Sequence, residues 1–315
     1  MKNLKNIIII LLVLAITGKI RMPIEQKLAE ELHSHKLVPP RLSLEERSRL
    51  KQKAFIATYG SLRPTIAAFM SSASVSLHTN LEWDKIEKQF EEIILLDPYN
   101  YFYWETASWH MATNAAGNKK NDSNLTDIAK KRIFEKYIQK GREIVDRGIK
   151  VNPDNWKFIE LKAKMLADRY RNPEYAKAIE INKQLLKRDD IPKQIERIIN
   201  IKVLAHTQQF LERHQELYEI AISLFQRGGQ YRTPVVLNQL FVSQNHPLTI
   251  VQSPMTIIEI YGSEREALRH LTILWKGGRT SQKLYGVEDT IRNLEQILYV
   301  PINNRIFPHT PLFMK

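Results

Sequence analysis

Apolar positions recur at three- and four-residue spacing along most of the chain, and prolines and glycines cut the recurrence into segments. Over 81–96, Trp83, Ile86, Phe90, Ile93 and Ile94 share one face of a helical period, and Asp97-Pro98 stops the segment. A second helix follows at once, with Trp104, Ala107, Ser108 and Met111 inward. The polar stretch 114–124 then reads as a loop. Thr126 or Asp127 caps the next helix, which turns Ile133, Tyr137, Ile138, Gly141, Ile144, Val145 and Ile149 inward before Asn152-Pro153 ends it. Trp156, Ile159, Leu161, Ala163, Met165 and Leu166 form another helix. The turn at Arg171-Asn172-Pro173 leads into 175–186, and Asp189-Asp190-Ile191-Pro192 stops that segment. Helices over 195–210 and 212–226 follow, ended by Gly228-Gly229.

Upstream, Ser43-Leu44-Glu45-Glu46 has the form of a capping box, opening a helix through Leu50, Phe55 and Ile56. Gly60 interrupts it, and Pro64 suits the first turn of a further helix carrying Ile66, Phe69, Met70, Ala73, Val75 and Leu77. Downstream of Gly229 the texture changes. Pro234, Pro247 and Pro254 break the chain, leaving one clear helix over 264–275 and another over 287–298. The last stretch, with Pro301, Pro308 and Pro311, reads as an extended tail. The pattern predicts an all-α fold, and the low glycine content and abundance of Lys, Glu, Leu, Ile and Ala agree with it.

The N-terminus departs from amphipathic patterning. Lys2 and Lys5 precede the unbroken run Ile7 to Ile16, and Lys19 and Arg21 follow. This is the layout of a positive n-region and a short apolar region. Ile16-Thr17-Gly18 is a weak cleavage signal, and the run is short for a span, which takes about 20 residues. We expect residues 1–20 to be a signal anchor or signal peptide, with membrane contact through residues 7–18. Residues 21–42 then form a linker ending in Val38-Pro39-Pro40. The domain would lie outside the cytoplasm on a single-pass anchor, or be secreted or periplasmic after cleavage.

The 315 residues carry a net charge of +13, and 115–214 alone holds 23 Lys/Arg against 14 Asp/Glu. The charges are mixed along helices, as in Lys130-Lys131-Arg132-Ile133-Phe134-Glu135-Lys136, without a zinc-finger, RNA-recognition or helix-turn-helix signature. Nucleic acid is therefore not the expected partner. The chain has no cysteine, which removes disulfides, thiolate metal sites and cysteine nucleophiles together.

The joints resemble the tetratricopeptide repeat, whose pattern is W-x2-L-G-x2-Y, A-x3-F and a closing proline, with a period of about 34 residues. Counting back from Pro98, Ile86, Phe90 and Ile93 take the second-helix positions, with Ser74 and Leu77 at the small and large first-helix positions. Trp104 opens the next unit, with Ala107, Ser108 and Met111 substituting for the consensus. Gly141, Val145 and Gly148 precede Pro153, and Ile159, Ala163 and Leu166 repeat the set. The resemblance covers about 65–190 well and 190–228 weakly. It implies a right-handed α-solenoid of TPR-like helix pairs over 43–229, with 230–315 as an irregular helical cap and tail. It also implies a protein- or peptide-binding scaffold without catalytic residues or cofactors.

Solenoid first helices line the concave groove, which makes Tyr101 and Glu105, four apart on one face, candidates for partner binding. Lys162 and Arg169 would continue that surface. Glu105 and His110 are five apart and do not share a helix face, so they do not form an acid–base pair. His33-Ser34-His35 lacks a third metal ligand nearby. Gly228-Gly229 and Gly277-Gly278 are helix stops without a phosphate-loop context. Catalytic and metal residues are expected to be none. Two rival readings remain: an envelope enzyme or sugar-binding module in the C-terminal part, and a basic protein binding nucleic acid or anionic lipid.

Overall fold

The computed structural model describes residues 17, 19, 21–32, 34–39, 43, 45–46, 62–210, 212–277 and 284–308. Among them there is no strand, and thirteen α-helices follow one another from Arg63 onward. The apolar run 7–16 lies outside the described residues, as does His33. Among the described residues no helix is long and apolar enough to cross a membrane. Residues 21–32, part of the stretch read as a linker, are helical and nearly all exposed. The sequence Glu25-Gln26-Lys27-Leu28-Ala29-Glu30-Glu31 is rich in strong helix formers, and Arg21 pairs with Glu25 one turn on. The capping box forms as its sequence predicts: the Glu46 N–H donates to Ser43 Oγ at 3.2 Å and the Ser43 N–H donates to Glu46 Oε2 at 2.6 Å.

The chain divides into two compact units, Met1–Phe158 and Ile159–Lys315. In the first, α1 (Arg63–Thr79) and α2 (Trp83–Leu96) form a hairpin. Leu81 turns it at φ +58°. The buried Arg63 guanidinium donates to Leu95 O at 2.7 Å, closing the open end of the hairpin. Helix α3 (Tyr101–Trp109) runs without a break through a π-helical segment (His110–Ala115) into α4 (Ala116–Lys120). The 25-residue α5 (Asp127–Val151) packs along this rod, capped by Thr126 Oγ1 accepting from the Ala129 N–H. The loop expected over 114–124 is therefore helical to Lys120. Ala115 and Ala116 are buried, and the Trp83 indole N–H donates to Asn118 Oδ1 at 2.8 Å, which fixes the added turn.

The core of this unit gathers Ile86, Phe90, Ile93, Trp104, Met111, Ile138, Ile144 and Phe158. These include the positions that the repeat pattern assigns to packing. The small positions allow close approach: a Cβ on Gly141 would stand 2.6 Å from Ala112 Cβ, and one on Gly148 would stand 2.6 Å from the Phe158 ring.

The second unit is built from most of α6 (Trp156–Leu166), α7 (Tyr175–Leu185), α8 (Lys193–Thr207), α9 (His214–Arg227) and α10 (Pro234–Gln244), then α11 (Ile257–Tyr261), α12 (Glu264–Gly277) and α13 (Val287–Ile297). Its core joins Leu204, Leu217, Leu224 and Phe225 to Val236, Leu240, Phe241, Leu271, Ile291 and Leu294. It therefore runs across the 229/230 boundary drawn from the sequence. Helix α10, absent from the sequence reading, lies at its centre, with Pro234 at its start and seven buried residues between Val236 and Ser243. A helix apolar on all sides has no amphipathic period to detect. Its buried polar side chains satisfy each other: Gln208 Nε2 donates to Gln239 Oε1, and Gln239 Nε2 donates to Ser243 Oγ.

Candidate interaction surface

Helix α3 begins where Asn100 Oδ1 accepts from the Phe102 N–H at 3.2 Å. Its register is then set by Trp104, whose indole N–H donates to Pro98 O at 2.8 Å. With Trp104 turned inward, Tyr103, Ala107 and Ser108 are buried with it. The opposite face carries Phe102, Glu105 and Trp109, at the i, i+3, i+7 spacing that aligns side chains along a helix. Phe102 is 57% exposed and Trp109 50%. Glu105 stands between them, half-buried.

Of the four residues singled out from sequence, Glu105 lies on this strip. Tyr101 does not: its ring meets Phe158 edge-on at 5.2 Å and packs against the core. Lys162 and Arg169 belong to the second unit. Lys162 is half-buried on α6, whereas Arg169 is exposed just beyond it, with its guanidinium 5.1 Å from the Tyr170 ring. The residues that the sequence reading did not select are Phe102 and Trp109. The available signal was their seven-residue spacing, out of phase with Trp104 and Met111.

Behind the strip lies a polar cluster inside the core. The Asn114 amide nitrogen is 3.1 Å from His110 Nδ1 and 3.3 Å from His78 Nε2. An amide nitrogen only donates, so His110 Nδ1 and His78 Nε2 both stand as acceptors. Burial, and then the neighbouring His78, hold the His110 pKa down to about 4. The cluster sits where the π segment widens the helix, letting His110 and Asn114 reach His78 on α1. His78 is also edge-on to Trp83 at 5.6 Å, and His110 is 5.3 Å from the Phe90 ring. Among the described residues no three His, Cys, Asp or Glu side chains converge as a metal site would require.

No family model, no curated protein and no solved structure matches this chain.

Proposed function

We propose that this protein is a non-catalytic scaffold that binds a protein or peptide partner along the outer face of α3. The observation that carries the reading is the pairing of Phe102 and Trp109 on a face that folding leaves in solvent. Large exposed aromatics flanking one acid suit an interface, where Trp and Tyr anchors supply most of the binding energy. The repeat-like packing of Ile86, Phe90, Ser74, Trp104, Gly141 and Gly148 supports a TPR-like solenoid of helix pairs as the frame for that face. The pattern of Lys2, Lys5 and the run 7–16 supports placement at, or export across, a membrane by residues 1–20.

A photo-crosslinking amino acid at Phe102 or Trp109, introduced in cells that make the protein, tests the reading. The expected result is one discrete adduct of protein size, lost when Glu105 is reversed to Lys. Adducts no different from those formed at the exposed Glu135 on α5 would overturn it.

A further inference from the structure

The loop that joins α10 to α11 carries a feature unrelated to the α3 strip. From Thr233 to Ile258 the chain has 26 residues without a single Asp, Glu, Lys or Arg, in a protein where 26% of residues are charged. Within this window Leu248 is 69% exposed, Ile250 77% and Ile258 55%. Leu248 and Ile250 therefore stand in solvent on the loop with no Asp, Glu, Lys or Arg within eight residues in sequence, whereas Ile258 lies in α11 beside Glu259.

The loop is also pinned. Gln244 and Met255 bond reciprocally: the Gln244 amide donates to Met255 O at 2.8 Å, and the Met255 N–H donates to Gln244 Oε1 at 3.1 Å. The His246 ring stacks on His214 at 4.4 Å and meets Tyr285 edge-on at 4.5 Å. Gln215 reaches up from α9 to accept from the Ile250 N–H at 2.9 Å.

The backbone accounting is what points to the partner. The N–H groups of His246 and Thr249 donate to Ser243 O and His246 O. The Leu248 N–H donates to His246 Nδ1, and that of Thr256 donates to Glu259 Oε2. Ile250 and Met255 are satisfied by Gln215 and Gln244, as above, and Pro247 and Pro254 have no N–H. Every backbone N–H between His246 and Ile250 thus has a partner, while the buried Thr249 hydroxyl has none. A protein partner can satisfy loop backbone groups itself, whereas a hydrocarbon phase cannot, and segments that enter it must be satisfied internally. A charge carried into it is costly, and this window has none. Its one ionisable residue, His246, has its pKa lowered by burial and then by His214.

We propose that the 246–256 loop is a membrane-docking element that seats Leu248 and Ile250 in the interface of an anionic bilayer. The net charge of +13 supplies long-range attraction to such a surface. The loop adds the apolar contact, which is independent of any N-terminal anchor.

The absence of cysteine makes the test direct. The full chain carrying Ile250→Cys is labelled with an environment-sensitive fluorophore and mixed with phosphatidylcholine–phosphatidylglycerol vesicles. A label at Gln226→Cys, exposed on α9, serves as the reference. The expected result is a blue shift at 250 that is quenched by lipids brominated in the acyl chain, with no change at 226. Adding Leu248→Glu raises the lipid needed for half-maximal shift about tenfold, the loss of one buried aliphatic side chain, while far-UV circular dichroism stays unchanged. Ile250→Trp, followed by its own fluorescence, shifts in the same sense because indole favours the interface. Labels at 250 that remain in water at every lipid concentration overturn the proposal, even where the chain is vesicle-bound through another segment. A shift that grows with protein concentration in the absence of lipid assigns the patch to a second copy of the chain and overturns it as well.

Discussion

The side-chain amide of Asn152 donates to the backbone carbonyl of Pro98 at 3.0 Å. The same carbonyl accepts from the Trp104 indole, so the two helix stops of the first unit are tied through one oxygen. Asn152 is buried and also donates to Gly148 O. Replacing it with Ala removes one of two donors at each carbonyl, since the Trp104 indole still serves Pro98 O and the residue-152 N–H still serves Gly148 O, a cost of about 0.5–1.5 kcal/mol per lost bond. Trp104→Phe keeps most of the ring and removes the indole donor. We expect the two losses to be non-additive, since they share an acceptor. Urea unfolding of the single and double variants measures the coupling, and strict additivity would refute a shared joint.

Two glycines, Gly141 on α5 and Gly117 on α4, discriminate packing from propensity. Alanine in a helix is favoured over glycine by about 1 kcal/mol. At Gly141 the added Cβ would stand 2.7 Å from the Ser108 carbonyl oxygen, a backbone atom that cannot rotate away. At Gly117 on α4 nothing lies within 4 Å. Gly141→Ala is therefore expected to destabilise by about 1–3 kcal/mol through overpacking, whereas Gly117→Ala is neutral or stabilising. Equal effects in thermal or urea unfolding would show that the α3–α5 contact tolerates a methyl group and does not set the packing of this unit.

The same contrast explains what could be read in advance. Helices with one apolar stripe were legible: α2, α5, α9, α12 and α13 fall within a few residues of their expected positions, because Ile86, Phe90 and Ile93, for instance, repeat with the helical period. Helix α10 was not legible, since Val236, Leu237, Leu240, Phe241 and Val242 leave no polar face. Its Pro234 also reads equally as a breaker or as a first-turn residue. The turn over 115–120 was hidden by Asn114, Gly117 and Asn118, whose loop composition is outweighed by tertiary partners His78, His110 and Trp83. The inward turn of Trp104 followed from its offset to Pro98. The outward turn of Phe102 and Trp109 follows from the same geometry, but a run of five aromatics in six residues masks which ring faces which way.

The C-terminal stretch after α13 hangs on one carboxylate. Glu295 is buried and accepts from the Ile306 N–H at 2.5 Å and the Phe307 N–H at 3.5 Å. Arg305 adds a bond from Nε to Val300 O at 2.8 Å, and the Phe307 ring meets Trp275 at 5.3 Å. The short Ile306 bond to this carboxylate is charge-assisted, worth about 1.5–3 kcal/mol, and the 3.5 Å Phe307 contact is weaker. Glu295→Ala is expected to speed hydrogen exchange at Ile306 and Phe307 by one to several powers of ten, on the order set by that loss, while α10 amides stay protected. Glu295→Gln retains an acceptor oxygen and should fall between. Unchanged exchange at Ile306 in the Ala variant would place the anchor elsewhere, in the Trp275–Phe307 contact.

His110 gives the first unit a stability that depends on pH. Its folded-state pKa is held at about 4, against 6.5 for the unexposed-to-fold reference, so the unfolded chain binds the proton more readily. Stability then rises with pH wherever the unfolded state carries more protons. The contribution is fully present above about pH 6.5, falls as the pH drops towards 4, and is level below that. With two to three pH units of difference and a ring about nine-tenths buried, the span is on the order of 2–3 kcal/mol. His206, His246 and His270 are shifted in the same direction and give the second unit a slope of the same sign. His110→Gln removes its share while keeping an amide beside Asn114. Urea midpoints measured between pH 7 and pH 4 should fall less steeply in this variant than in the native chain. Asn114→Ala, which removes the donor that both imidazoles accept from, should lower stability at pH 7 and flatten the same profile, because a protonated ring no longer loses that bond. Parallel profiles for the native chain and both variants would show that the buried histidine cluster does not govern the acid response.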